Sequence, residues 1–249
     1  MLKLVKPDKS MEQEYLDYIN EWKEEGINIV PASTDIKDRT FDEWLEAIQD
    51  EEIKERCPIG LVTANTYFLV NETGKILGAI NIRHELNNYL YQYGGHIGYG
   101  VRESERRKGY ATQMLKLSKP ILKELDLEFV LITCSKTNVA SSQTIKNNGG
   151  VLEDEVEKDG DITQRYWIDL NHVDSFNPPD KKSYRMDSMM NQTFVIPVSN
   201  KLTNPVENNE SNRSTNALTS DFKHEEDRNQ VVKQDNGFNG NNNIKLSWW

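Results

Sequence analysis

The spacing of apolar and polar residues predicts alternating strands and helices over residues 1–170. Apolar residues recur at helical spacing, with capping residues or glycines at the ends, and predict helices over about 10–25, 41–50, 106–125 and 140–148. Runs rich in β-branched and aromatic residues predict strands over 2–6, 67–70, 75–82, 95–101, 129–134, 151–157 and 162–170. Together these elements fit one mixed α/β sheet.

Two glycine-ended connections predict which strands pair. Residues 71–74 join the strands at 67–70 and 75–82, and residues 158–160 join the last two strands. Short connections of this kind are typical of β-hairpins, so both pairs should be antiparallel. The strand at 129–134 is largely apolar and follows a helix, which indicates a buried strand after a crossover.

The character of the chain changes after residue 171. Residues 172–249 contain fourteen asparagines, few apolar runs and no sustained periodicity. Such a segment buries too little apolar surface to fold by itself, so we expect an Asn-rich, disordered C-terminal extension. Its two apolar islands, 194–198 and 244–249, either stay solvated or dock on the domain or on a partner.

The composition narrows the class of partner. The formal net charge of −10 opposes the broad attraction on which nucleic-acid binding depends, so we expect no nucleic-acid partner and a mild preference for amines. No apolar run approaches the ~18 residues of a membrane helix and no signal peptide is evident, which predicts a cytoplasmic protein with no membrane partner. Cys57 and Cys134 lie outside any metal-ligand spacing, so we expect no metal.

One segment carries the pattern of an anion site. Residues 96–115 pass from a strand through a charged turn into a helix, with Gly109 at the turn and Arg106, Arg107 and Lys108 before it. The free N–H groups of a first helical turn and the helix dipole attract phosphate, and the glycine lets it approach. The basic side chains add charge-assisted donors. The pattern by itself does not separate CoA from other phosphate ligands.

The residues Arg106-Arg-Lys-Gly-Tyr-Ala111 resemble the Arg/Gln-x-x-Gly-x-Gly/Ala signature of the GNAT (Gcn5-related N-acetyltransferase) superfamily. The resemblance implies the GNAT fold: a mixed, mostly antiparallel central sheet of about seven strands, with helices on both faces, over a domain at 1–171. It also implies a splay between strands 4 and 5 and a bulge in strand 4, which Gly98 and Gly100 suit.

The resemblance places acetyl-CoA, as co-substrate, on this segment. The N–H groups of residues 107–111 would hold the pyrophosphate, and the strand edge at residues 99–101 would bond the pantetheine arm. A second match, Asn138-Val-Ala-Ser141 before a helix, implies that Asn138 bonds the pantetheine and that Ser141 lies near the sulfur. Asn138 also suits a helix cap, and both roles are compatible. The cofactor-binding residues so implied are Tyr99, Val101, Arg106, Arg107, Lys108, Gly109, Tyr110, Ala111, Asn138 and Ser141.

Acetyl transfer to an amine needs a polarised thioester carbonyl, a neutral amine and a proton for the leaving thiolate. By resemblance, the backbone N–H of Val101 polarises the carbonyl. Many relatives carry an acidic tyrosine seven residues after the position of Asn138, where this chain has Ile145. Tyr110, Tyr99, a water or unassisted thiolate departure are the alternatives.

Three residues are candidates for the base. His96 lies on the strand that enters the reaction centre, and the ordinary histidine pKa of about 6.5 suits proton removal near neutrality. A structural role for His96 is the alternative, and Glu85 and His84 are rival bases. We expect Cys134, at the end of an apolar strand, to be a core residue and not a covalent acetyl carrier.

The two N-terminal helices and their loop are expected to form the acceptor wall. The residues singled out there are Trp22, Ile29, Trp44 and the acidic Glu24, Glu25 and Asp35. An acidic rim would attract protonated amines. The sequence therefore predicts an acetyl-CoA-dependent N-acetyltransferase that acts on a primary amine of a small molecule or peptide by direct attack in a ternary complex. The alternative is a non-catalytic acyl-CoA-binding module whose tail recruits a partner. The sequence leaves open whether the protein forms a homodimer.

Overall fold

The computed structural model describes residues 1–171, and the predicted C-terminal extension at 172–249 lies outside the described residues. The described part contains helices α1 Glu12–Glu25, α2 Phe41–Asp50, α3 Tyr110–Glu124 and α4 Val139–Lys146, and strands β1 Lys3–Val5, β2 Ala64–Val70, β3 Ile76–Arg83, β4 Ile97–Val101, β5 Phe129–Ser135, β6 Val151–Lys158 and β7 Asp161–Asp169. This order confirms the predicted mixed α/β fold. None of these helices is long and apolar enough to cross a membrane.

The strands form two antiparallel ladders where the sequence suggested one sheet. The first has the order β1-β2-β3-β4 and the second β5-β7-β6. The ladders meet where the His96 N–H donates to the Leu131 carbonyl at 2.7 Å and the Leu131 N–H donates to Nδ1 of His96 at 2.9 Å. The imidazole nitrogen takes the place of a backbone acceptor at this joint. Beyond it, β4 and β5 belong to separate ladders, which agrees with the expected splay.

Helices cover both faces of the first ladder. On one face, α1 and α2 pack Tyr18 and Trp44 against Phe68 of β2, within a cluster of buried apolar side chains. On the other face, Met114 of α3 belongs to a second cluster together with Ile80 of β3. Burial of this apolar surface, on the order of 25 cal/mol per Å², is what holds the helices to the ladder.

Local signals set the helix ends. Thr40 and Glu43 form a capping box at the start of α2, and Gly26, at a φ of 71°, ends α1 in the left-handed conformation that glycine adopts without strain. The loop at residues 27–40 then leads from α1 to α2. The position of Gly26 therefore decides where the chain leaves α1 and turns towards β4.

Candidate active site

The turn before α3 has the backbone geometry of an anion site. Arg107 and Gly109 have φ values of 61° and 81°, so the chain alternates between left-handed and ordinary conformations. Among the described residues, none accepts a hydrogen bond from the backbone N–H groups of 107–112. A run of free N–H groups in such a turn, at the positive end of a helix, forms a concave site for an anion. A Cβ at Gly109 would meet no atom within 4 Å, so φ, not crowding within the chain, is what favours glycine.

The three basic side chains of the turn differ in the partners that they bind. Both Nη atoms of Arg106 donate to the Glu25 carboxylate, its Nε donates to the Val101 carbonyl at 3.0 Å, and its guanidinium lies 5.1 Å from the Trp22 ring. Arg106 therefore fastens the turn to α1. Lys108 pairs with Glu105 at 2.8 Å. Arg107 is exposed and forms no ion pair within residues 1–171, which leaves it free for a phosphate.

A second arginine, which the sequence analysis missed, strengthens this attachment. Arg102 is 4% exposed and binds the carboxylates of Asp17, at 2.8 Å, and Glu21. Glu21 also accepts from the Ser104 N–H at 2.7 Å. The spacing held a signal: Asp17, Glu21 and Glu25 recur every four residues and so share one face of α1. That acidic face binds the turn and the residues just before it.

Strand β4 presents a free edge to the cavity. The N–H of Arg83 donates to the His96 carbonyl and that of Arg102 to the Leu77 carbonyl, so the even-numbered residues of β4 bond to β3. Because bonded positions alternate along an antiparallel ladder, the N–H groups of Tyr99 and Val101 point away from β3.

No register shift interrupts the pairing of β3 with β4, so the expected bulge in strand 4 is absent from this ladder. Close packing accounts for Gly100 instead. A Cβ at Gly100 would lie 2.3 Å from the Val30 carbonyl oxygen, so the absence of a side chain there lets the loop after α1 approach β4. A Cβ at Gly98 would lie between Arg83 and Pro31 at ordinary contact distances.

The start of α4 meets β4 at a pair of hydroxyl groups. Oδ1 of Asn138 caps the helix by accepting from the Ser141 N–H at 3.0 Å, so the cap role is confirmed. The Tyr99 hydroxyl lies 2.9 Å from Oγ of Ser141, and burial raises the pKa of this phenol. Ile145, at the position of the missing tyrosine, is 0% exposed and packs in the core.

These segments enclose a cavity of about 1000 Å³. We call its two parts the cofactor half, lined by residues of 105–112 and 138–147, and the acceptor half, lined by 27–32, Arg83, Gly94 and Ile97–Gly98. Trp22, Thr133 and β4 residues 99–101 also line it. Of the ten predicted cofactor residues, all but Lys108 line the cavity. Arg83 is a lining residue that the sequence analysis did not single out.

The candidate bases are not brought to the cavity. His96 is 2% exposed, Nδ1 is occupied by the Leu131 N–H, and burial, with the charge of Arg83, lowers the pKa of the imidazole to about 3. These contacts support the structural role. Glu85 is exposed in the loop after β3, and Nε2 of His84 lies 2.6 Å from Oδ1 of Asn65. Tyr110, the remaining candidate for catalysis, does line the cavity.

The expected acidic rim does not form around the cavity. Glu24, Glu25 and Asp35 are not lining residues, and Glu25 is occupied by Arg106. Glu105 is the one carboxylate that lines the cavity among the described residues, and it pairs with Lys75 and Lys108 at 2.8 Å each.

Of the apolar residues expected in the acceptor wall, Trp22 and Ile29 line the cavity, whereas Trp44 is a core residue. Cys134 is buried as well, and burial raises the pKa of its thiol to about 11, so the thiolate is scarce at neutral pH. Within residues 1–171, no group of three or more His, Cys, Asp or Glu side chains could hold a metal ion.

A turn with free N–H groups beside a cleft between two ladders is the arrangement that the resemblance to the GNAT superfamily implied. Residues 33–149 match the family model described as the acetyltransferase (GNAT) family. The resemblance stated from the motifs is therefore confirmed over residues 33–149, which match the GNAT acetyltransferase family.

Solved structures show similar folds at low identity. An N-acetyltransferase from Staphylococcus aureus Mu50 is 20% identical, with a TM-score of 0.48 over 68% of this chain and 99% of that one. A GNAT-family acetyltransferase from Streptococcus pneumoniae is 14% identical, with a TM-score of 0.49 over 68% and 98%. A chimera of Vibrio cholerae spermidine N-acetyltransferase SpeG and hSSAT is 14% identical, with a TM-score of 0.47 over 68% and 95%. Among curated proteins, none matches the sequence. Such likenesses say nothing about the acceptor.

Proposed function

We propose that the protein is an acetyl-CoA-dependent N-acetyltransferase in which a primary amine attacks directly in a ternary complex. The observation that carries the proposal is one cavity that is lined both by the turn with the free N–H groups of residues 107–112 and by the residues of the acceptor half. A CoA pyrophosphate suits this cradle because the N–H groups are unpaired. The positive φ of Gly109 favours a residue without a side chain, so no side chain occupies the cradle at this position.

The acetyl thioester supplies the reactive carbonyl. The N–H of Val101, on the free edge of β4, would donate to the carbonyl oxygen and stabilise the charge that develops when the amine nitrogen attacks. The hydroxyl of Tyr99 is protonated at neutral pH and would donate its proton to the leaving sulfur as the carbon–sulfur bond breaks; solvent water then returns a proton to the phenolate, and the raised pKa of the phenol favours that return. The Ser141 hydroxyl, 2.9 Å away, orients the phenol.

The amine proton has no evident acceptor among the side chains of the described cavity. Glu105 is held by two lysines, and His96 is buried at the joint. We propose that water takes this proton, so that the enzyme uses the fraction of acceptor that is already a neutral amine.

The test is release of CoA thiol from acetyl-CoA by purified protein given pools of amines. Gly109→Glu should lower acetyl-CoA affinity by at least about 100-fold, because it strains the turn and places a carboxylate over the anion cradle. Gly160→Glu is the matched control: Gly160 has a φ of 83°, open surroundings and a place in the β6–β7 turn, outside the cavity. Equal loss in both variants would contradict the cradle.

The alternative function, a non-catalytic acyl-CoA-binding module, draws support from Ile145, which stands in the core where many relatives have the acidic tyrosine. The same assay separates the two functions. Tight acetyl-CoA binding without thiol release from any pool would support the module. The cytoplasmic location, the homodimer and a partner for residues 172–249 stay predictions.

A further inference from the structure

Arg83 places a cation in the acceptor half of the cavity. It is the last residue of β3, and its backbone N–H donates to the His96 carbonyl at 2.8 Å. Its side chain reaches the cavity beside Gly98: a Cβ at that glycine would lie 3.4 Å from Nη2 of Arg83 and 3.5 Å from Cβ of Pro31. The guanidinium therefore lies next to the narrow space between β4 and the loop after α1.

Only one of the three nitrogens of the Arg83 guanidinium donates hydrogen bonds to the described part of the protein. Nη1 donates to the carbonyl oxygens of Gly94 and Gly95, at 3.0 Å each. Within residues 1–171, Nε and Nη2 have no hydrogen-bond acceptor, and no carboxylate forms an ion pair with Arg83. The Glu51 carboxylate influences Arg83 only through its charge at a longer distance. Nε and Nη2 together form the donor pair that matches the two oxygens of a carboxylate.

The surroundings favour an anionic partner. A guanidinium removed from water is costly unless its charge is paired, and Arg83 keeps its charge at neutral pH even though burial lowers its pKa to about 10. The described acceptor half offers no carboxylate to attract a polycationic acceptor, since the Glu105 carboxylate lies in the cofactor half. An acceptor that brings its own carboxylate would satisfy the free donors.

We propose that the acceptor is an amine that also carries a carboxylate, of the amino-acid type, and that Nε and Nη2 of Arg83 bind this carboxylate. This inference rests on the proposed function and names the substrate class. Arg83 is then a specificity-determining residue: it orients the acceptor so that the amine faces the free edge of β4 at Tyr99 and Val101.

The experiment compares acceptors that differ only in the carboxylate. The twenty proteinogenic amino acids are assayed first, and then leucine, phenylalanine and lysine are compared with isoamylamine, phenethylamine and cadaverine. For at least one pair, we expect kcat/KM to favour the amino acid by at least about 100-fold, since the site would lose its bidentate partner with the bare amine. A preference for the bare amine in every pair would overturn the inference.

Variants test whether Arg83 causes the preference. Arg83→Gln should reduce the discrimination to within about threefold while acetyl-CoA affinity is unchanged, and Arg83→Lys should restore part of it. Arg39→Gln is the matched control, because Arg39 also donates to two backbone carbonyls, those of Asp35 and Ile36, but does not line the cavity. Equal losses for both acceptors of a pair in Arg83→Gln would indicate a structural role and refute the proposal.

A second variant covers the case in which Arg83→Gln fails to fold. Gly98→Ala leaves Arg83 in place and fits at ordinary contact distances, yet it narrows the space beside Nη2. It should raise KM for the amino acid at least about fivefold and change KM for the bare amine less than twofold.

Binding separates failure of this inference from failure of the proposed function. Calorimetry with the twenty N-acetylated amino acids, on protein saturated with CoA, needs no turnover. At least one should bind wild-type protein about tenfold more tightly than Arg83→Gln. If no amine is acetylated but this difference is found, the catalytic proposal fails and the carboxylate site stands. If no N-acetylated amino acid binds the wild type, the carboxylate site is wrong, whatever the amines do.

Discussion

In the proposed function, the phosphate-binding part of the cofactor half takes its ligand groups from the backbone of one short segment, whereas the acceptor half is built from segments far apart in the chain. Residues 107–112 supply consecutive N–H groups whose directions follow from the φ angles of the turn. The acceptor half combines a loop at 27–32 with Arg83 and the start of β4 at 94–98. A backbone site depends on local conformation, and a side-chain site depends on the whole fold.

This difference explains which half tolerates change. As long as the φ of Gly109 is kept, the peptide groups of the turn should keep their directions when a side chain changes, so that a side chain such as Arg107 only adds to the backbone contacts. In the acceptor half, the proposed selectivity depends on a single side chain, that of Arg83. The two halves share one support, the joint between His96 and Leu131, and one place of contact, the Tyr99 hydroxyl beside Ser141.

Substitution of His96, at the joint between the two ladders, should have the largest effect on the protein. His96→Ala removes a buried ring and leaves the Leu131 N–H without its acceptor, so we expect a loss of about 3 kcal/mol or more in the free energy of unfolding. Urea denaturation measures it. His96→Asn, whose Oδ1 can replace Nδ1 as acceptor, should recover a substantial part. If Ala and Asn are equally destabilised, the hydrogen bond is not what holds the ladders together.

The same residue makes stability depend on pH. Because burial lowers the pKa of His96 to about 3, against about 6.5 when unfolded, the unfolded chain binds the extra proton between these values. The contribution of His96 is complete above about pH 6.5 and is lost as pH falls towards 3, by up to about 1.4 kcal/mol per pH unit. His96→Asn should flatten this slope; an unchanged slope would assign the acid sensitivity to other groups.

Where the halves meet, Tyr99→Phe should lower kcat about 100-fold with little change in KM for either substrate, because only the proton donor is lost. Steady-state kinetics with each substrate varied in turn measures the effect. Ser141→Ala, which keeps the phenol but removes its partner at 2.9 Å, should lower kcat less. A Tyr99→Phe enzyme with wild-type kcat would return the role of acid to Tyr110, a water or unassisted departure.

Within the cofactor half, Arg107→Ala should weaken acetyl-CoA binding about tenfold, because the free guanidinium is lost, while Lys108→Ala should weaken it less than threefold. Lys108 is already paired with Glu105. Calorimetric titration compares the two, and KM for the acceptor should not change. Equal effects would indicate that overall charge, not the particular side chain, attracts the phosphate.

The smallest expected effect is at Cys134. If transfer is direct, Cys134→Ala should keep kcat within about threefold and cost about 1 kcal/mol of stability from the buried sulfur. Intact-mass spectrometry of the wild type with acetyl-CoA alone should show no acetylated protein. A stable adduct that disappears in the variant would establish a covalent route.

The sequence predicted the helices, the strands and the cofactor turn because these depend on local periodicity and on contiguous residues such as 106–111. It missed Arg102 because the partners of this residue lie far away in the chain, on α1, and it missed Arg83 because only the folded structure shows that this guanidinium lines the cavity beside Gly98. Residue type favoured His96 as a base, but only the packing shows that its ring is buried. The expected acidic rim around the cavity is absent for the same reason: only the packing shows that Glu25 pairs with Arg106.

The bond between Arg106 and Glu25 has a consequence for communication within the site. Glu25 is the last residue of α1, and Gly26 alone separates it from the loop that lines the acceptor half. This one ion pair therefore holds both the turn that lines the cofactor half and the first residues of the loop that lines the acceptor half. A substitution that removes either partner of this ion pair would therefore disturb both ends of the cleft at once.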